Sequence, residues 1–134
     1  MRVELVWLRR DLRLHDHPAL SVALRESAVV VPVFCLDRRL LAGRHRSGPR
    51  TQFMLECLRD VDRALRELGS RLVIAQGLPE RELPRLAREV GANTVHATED
   101  VGPYARRRDE DVGSALRTGG VELRMHPRLF AVDD

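Results

Sequence analysis

The order of apolar and amphipathic segments predicts an α/β fold. The expected architecture is a Rossmann-like three-layer sandwich: a five-stranded parallel sheet in the order 3-2-1-4-5 with helices on both faces. Three observations lead there. Five short apolar runs (Val3–Leu8, Val29–Leu36, Leu72–Ala75, Thr94–Ala97 and Val121–Met125) alternate with segments of helical period. The runs are nearly continuous in hydrophobicity rather than alternating, as strands covered on both faces are. Strand–helix–strand units joined by right-handed crossovers then lay parallel strands side by side under helices.

Each helix has its own signals. The first runs from His17/Pro18 to Glu26, with Asp16 or His17 as cap and Pro18 in the first turn. The second, Arg50 to Leu68, puts Phe53, Cys57, Leu58, Val61, Leu65 and Leu68 on one stripe, and Gly69 ends it. The third, Glu80 to Val90, turns Leu83, Leu86, Ala87 and Val90 inward and stops at Gly91; Pro84 must fall in its first turns or bend it. The fourth runs from about Tyr104 to Thr118 and is halted by Gly119-Gly120. Pro32 is awkward inside a strand because it lacks an N–H, so the second strand is either bulged there or close to an edge. Arg39 to Pro49 is the one long irregular connection, and such loops often cover ligands.

At 134 residues the chain fits one domain with a core large enough to need neither staples nor metal. Hydrophobic residues make up 43% and charged residues 32%, which excludes disorder. No apolar run approaches the roughly 20 residues of a membrane span. Glu4, Arg9, Arg10 and Asp11 leave no room for a secretory h-region, so a soluble, cytoplasmic protein is expected. Cys35 and Cys57 lie in no metal or redox spacing and read as buried free thiols. All 23 basic residues are Arg, but acidic residues interleave with them, so a net charge of +3 is weak evidence for nucleic acid.

In an open α/β sheet, ligands occupy the crevice at the carboxyl ends of the strands where the strand order reverses, here between strands one and four. Arg9, Arg10 and Asp11 emerge there after strand one. Glu99, Asp100, Val101 and Gly102 follow strand four, with Phe34, Cys35, Leu36 and Asp37 beside them at the end of strand two. An aromatic wall, charges of both signs and a glycine suit a planar heteroaromatic ligand with polar edges. Familiar chemistries are missing. The turn after strand one holds no glycine, which disfavours a dinucleotide or P-loop site. His15, Asp16 and His17 diverge too much for a metal and suit helix capping. Arg106-Arg107-Arg108 against Asp109, Glu110 and Asp111 reads as a solvated helix face. No spacing suggests a nucleophilic constellation.

The segment Trp7-Leu8-Arg9-Arg10-Asp11-Leu12-Arg13-Leu14-His15-Asp16-His17-Pro18-Ala19-Leu20 resembles the opening signature of the DNA photolyase/cryptochrome family. Val33-Phe34-Cys35-Leu36-Asp37 and Pro103-Tyr104-Ala105-Arg106-Arg107-Arg108-Asp109 agree with it in order and spacing. The resemblance covers essentially the whole chain but only the amino-terminal α/β domain of that family. It implies a light-harvesting antenna domain, residues 1–126, with residues 127–134 beginning an interdomain connector. The catalytic FAD, the lesion pocket and most contacts to damaged DNA belong to a carboxyl-terminal helical domain absent from this sequence. The parent protein would be a deoxyribodipyrimidine photolyase that repairs cyclobutane pyrimidine dimers with blue light, or else a cryptochrome-type photoreceptor.

By the same resemblance, Arg10 faces the polar edge of the antenna dye, and Phe34, Cys35 and Leu36 wall its ring. Asp37 and Arg50 hold polar groups or the side chain, Asp100 accepts a hydrogen bond from the ring system, and Gly102 admits its close approach. The dye of such domains is a folate, an 8-hydroxy-5-deazaflavin or FMN, and in many members the pocket is empty. Folate binders carry an Asn-Glu pair where this chain has Tyr104 and Ala105. Some deazaflavin binders carry an acidic residue at Gly102. A flavin-type dye is therefore preferred over folate. The alternatives are a universal-stress-like nucleotide module, for which Gly113, Gly119 and Gly120 do not supply the phosphate-loop spacing, and a ligand-free interaction domain.

Overall fold

A computed structural model describes residues 2–9, 17–26, 29–36, 48–67, 69–100 and 102–127. The elements are β1 (Val3–Leu8), α1 (Pro18–Glu26), β2 (Val29–Leu36), α2 (Gly48–Glu67), β3 (Val73–Gln76), α3 (Pro79–Val90), β4 (Thr94–Thr98), α4 (Pro103–Thr118) and β5 (Glu122–His126). The five strands form one sheet in the order β3-β2-β1-β4-β5, and every pairing is parallel. Fold class and strand order are thus as expected. The boundaries move by one or two residues. In particular α2 already begins at Gly48, while residues 37–47 of the long connection lie outside the described residues.

The near-continuous apolar strands are explained by two cores, one on each face of the sheet. Leu5, Trp7, Val33, Cys35, Ala75, Val95 and Ala97 point to the layer filled by Leu83, Leu86 and Ala87 of α3 and Val112 and Leu116 of α4. Val6, Leu8 and Phe34 point the other way, onto Ala19, Leu20 and Ala23 of α1 and Leu58, Val61 and Leu65 of α2. Strand side chains alternate in direction with period two, so both registers must be apolar when both faces are covered.

Pro32 sits opposite Val6 of β1, whereas β3 pairs with β2 only from Val33 onward. At the level of Pro32 the second strand is locally an edge, so the ring disturbs no ladder on that side. His17 caps α1: its Nδ1 accepts the Leu20 N–H at 3.1 Å. α3 runs through Pro84 and ends on Gly91 at φ 73, a left-handed C-cap. The apolar stripe of α2 is narrower than its spacing suggests. Leu58, Val61 and Leu65 are buried, but Phe53 is 69% exposed, and Cys57 is half-buried rather than buried like Cys35.

One feature inside the apolar runs is polar. Glu4 of β1, His96 of β4 and His126 of β5 form a buried chain across the sheet. His96 Nε2 lies 2.5 Å from Glu4 Oε1, and His96 Nδ1 lies 2.9 Å from His126 Nε2. Arg2 Nε donates to the second Glu4 oxygen at 2.7 Å. A carboxylate only accepts, so the imidazole nitrogen facing Glu4 is the one carrying a proton. The main-chain oxygen of His126 accepts the Glu99 N–H at 2.8 Å, tying the end of β5 to the turn after β4.

Candidate functional site

All five strands end at the same rim of the sheet, and the order reverses between β1 and β4. Trp7 and Arg9 at the end of β1 meet the turn after β4 and the first turns of α4. Arg9 is buried. Its Nη1 donates to Asp109 Oδ1 at 2.6 Å, its Nη2 donates to the Thr98 carbonyl oxygen, and its Cζ lies 4.7 Å from the Trp7 ring centroid. Arg108 stacks on Trp7 at 5.4 Å and on Tyr104 at 6.0 Å. Asp100 Oδ2 is 3.8 Å from Arg108 Nη2 and Asp109 Oδ1 is 3.7 Å from Arg108 Nε, too far for hydrogen bonds. Those two Arg108 nitrogens are buried and make no hydrogen bond among the described residues.

Burial pushes the Asp109 carboxyl above its ordinary value, and the charges of Arg9 and Arg108 only partly restore it. Two guanidinium groups and two carboxylates therefore form a compact, neutral cluster capped by an indole and a phenol ring. Outside it, between the starts of α3 and α4, opens a cavity of about 360 Å³ lined by Glu80, Pro103, Tyr104, Arg107, Arg108 and Asp111. That size lies at the lower end of small-molecule sites.

The expected site residues are distributed as follows. Asp100 is half-buried beside Arg108, and Gly102 forms the turn into α4 at φ 105. A Cβ on Gly102 would meet nothing within 4 Å, so the glycine serves the backbone conformation and also leaves its surroundings open. Phe34 and Cys35 are both buried but on opposite faces of the sheet, Phe34 under α1 and α2 and Cys35 under α3 and α4. Strand alternation thus keeps them from forming one wall; Leu36, half-buried, shares the Phe34 side. Arg10 and Asp37 lie outside the described residues, and Arg50 stands in the first turn of α2.

Sequence reasoning placed Arg9 at this crevice without giving it a role, and it missed Arg108 and Asp109. The run 106–108 is not a uniformly solvated face: Arg106 and Arg107 are exposed, while Arg108 turns inward. The signal was available in the helical phase. Ala105, Val112 and Leu116 are buried, and positions 108 and 109 fall on the same stripe at spacings of three and four.

Residues 4–133 match the family model described as DNA photolyase. The chain belongs to the DNA photolyase family. It is 38% identical over 117 residues to a deoxyribodipyrimidine photo-lyase of Synechococcus sp., covering 87% of this chain and 24% of that relative. It is 40% identical over 130 residues to a deoxyribodipyrimidine photo-lyase of Streptomyces griseus, covering 94% and 28%. Among solved structures, a cryptochrome of Synechocystis sp. superposes with a TM-score of 0.88 at 30% identity, over 94% of this chain and 27% of that one. An archaeal photolyase from Sulfolobus tokodaii, described with two FAD molecules and a novel light-harvesting cofactor, gives a TM-score of 0.86 at 32% identity, over 93% and 29%. The photolyase-family chain thus spans about a quarter of the length of these relatives. The family match lends nothing to a universal-stress-like module. Among the described residues no helix is long and apolar enough to cross a membrane, and no group of three His, Cys, Asp or Glu residues could hold a metal ion.

Proposed function

We propose that this chain is the antenna domain of a photolyase-like flavoprotein, binding a flavin-type pigment at the rim between β1 and β4. The observation that carries the reading is the neutral Arg–Asp cluster, which lies beside an open glycine turn at the point where strand order reverses. The described residues fit a planar ring with donors and acceptors on its edge. Asp100 offers an acceptor, Arg108 a cation with hydrogen-bonding capacity in reserve, and Gly102 leaves room beside both. When bound, the pigment would absorb light and pass the excitation on. The protein's own task is to hold the ring rigidly, exclude water and tune absorption, which calls for no acid, base or nucleophile.

In this reading Arg10, Asp37 and Arg50 complete the polar surround, and Leu36 and one of Phe34 and Cys35 supply apolar contact. FMN or 8-hydroxy-5-deazaflavin is the favoured pigment over folate. Residues 1–126 form the domain and 127–134 begin a connector to an FAD-binding helical domain. That helical domain, through which damaged DNA is bound, would carry the light-driven cleavage of pyrimidine dimers. The purified chain, titrated with FMN, 8-hydroxy-5-deazaflavin and a methenyl-folate, should bind a flavin-type dye with a red-shifted visible band and should not repair thymine dimers by itself. Failure of all three dyes to bind refutes the antenna reading, and repair by the isolated chain refutes the division of labour.

A further inference from the structure

We infer that the two guanidinium groups covering Trp7 protect the excited state of a bound pigment by making the indole a poor electron donor; the inference rests on the antenna reading above. Trp7 is the sole tryptophan of the chain. It is 2% exposed and lies one residue before the end of β1, at the rim proposed for the pigment. Indole is among the most readily oxidised side chains. Beside a photoexcited flavin-type ring it can give up one electron, becoming a radical cation while the ring gains that electron. Return of the electron restores both partners and discards the excitation as heat. No bond forms or breaks and no further reactant is needed, yet an antenna that did this would deliver nothing.

The packing around Trp7 opposes that step. The Arg9 guanidinium stands 4.7 Å from the ring centroid and that of Arg108 stands 5.4 Å from it. A cation held over an aromatic face stabilises the neutral ring through its quadrupole. The same cation repels a ring that has itself become positive; Asp100 and Asp109 offset part of this repulsion, and the guanidinium groups in face contact with the indole set its sign. Both cations have partners beyond the indole. Arg9 is held by Asp109 and the Thr98 carbonyl, and Arg108 by its place between the Trp7 and Tyr104 rings. The counter-charges Asp100 and Asp109 engage the guanidinium groups. Arg108 also covers Tyr104, the other oxidisable ring at this rim. Two of its nitrogens are buried and make no hydrogen bond among the described residues, where it meets the two rings and the more distant carboxylates.

The test uses the full chain loaded with FMN, reading the fluorescence lifetime of the bound flavin and the transient absorption of a tryptophan radical. Arg108→Gln should shorten the lifetime at least twofold and bring up the radical signal. Arg108→Lys, which keeps the charge, should shorten it less than Arg108→Gln does, and adding Trp7→Phe to Arg108→Gln should restore the long lifetime. A measurement without a destabilising variant uses chain carrying 5-fluorotryptophan, a poorer donor, at position 7. The wild-type lifetime should not lengthen, because Trp7 is already silent. An unchanged lifetime in Arg108→Gln, shortening that Trp7→Phe does not reverse, or lengthening with 5-fluorotryptophan each overturns the inference while leaving the antenna reading standing. Absence of binding by FMN and 8-hydroxy-5-deazaflavin overturns both.

Discussion

Replacing Glu4 with Ala should be among the most damaging single changes available in this domain. The Glu4 carboxylate is fully buried, faces a His96 ring nitrogen at 2.5 Å and receives Arg2 Nε at 2.7 Å. Truncation leaves the His96 N–H without its acceptor, at about 1–3 kcal/mol, and opens a void where the carboxylate and the methylene next to it stood. The cavity adds to the cost of the unsatisfied donor, so the total should exceed the hydrogen-bond figure alone. Glu4→Gln keeps an amide oxygen for His96 and fills the volume, so it should cost about 1–2 kcal/mol, the value of a weakened hydrogen bond to a charged group. Urea unfolding followed by Trp7 fluorescence at neutral pH measures both. A loss below about 1 kcal/mol for Glu4→Ala, or equal losses for the two variants, would mean that the buried chain contributes little and that the reasoning is wrong.

Other outcomes follow from single contacts. Asp62 accepts the Leu72 N–H at 2.9 Å and pairs with Arg66, and these hold its carboxyl below the ordinary aspartate value. A lowered folded value stabilises above the unfolded one and is lost as pH falls through the folded one. The stability gap between wild type and Asp62→Asn should thus be open at pH 7 and close on acidification through that range; a gap that widens in acid contradicts it. Asp109 has the opposite sign: its raised carboxyl favours the folded state below 3.8, and that contribution disappears as pH rises through the folded value. Gly91→Ala meets no atom within 4 Å but keeps φ at 73, so it should cost about 1–2 kcal/mol in denaturant unfolding, all of it conformational. Arg10→Ala and Asp100→Ala should each weaken pigment binding by about 1–3 kcal/mol in fluorescence titration. Arg88→Ala, on exposed helix surface, should leave binding unchanged.

The layer order and strand order were legible because both faces of the sheet are covered, which writes each strand as an unbroken apolar run. The same pattern hid what matters inside it. Glu4 and His96 sit within apolar runs as single polar letters, and nothing local says that they meet across strands with His126. Phe34 and Cys35 were grouped because they are neighbours in the chain, although a period of two already sends them to opposite layers. Arg108 was lost in a run of three arginines until helical phase separated it from Arg106 and Arg107. Asp100 and Gly102, by contrast, were placed correctly at the rim by topology alone, since the residues leaving β4 have nowhere else to go.

The shared direction of the strands has an evolutionary corollary. On the antenna reading, turns at one end of the sheet meet the pigment while those at the other need only close the chain, and the two packed layers lie between them. A lineage could therefore exchange one chromophore for another, or lose it altogether, by rewriting a few positions along a single border while the interior goes on folding unchanged.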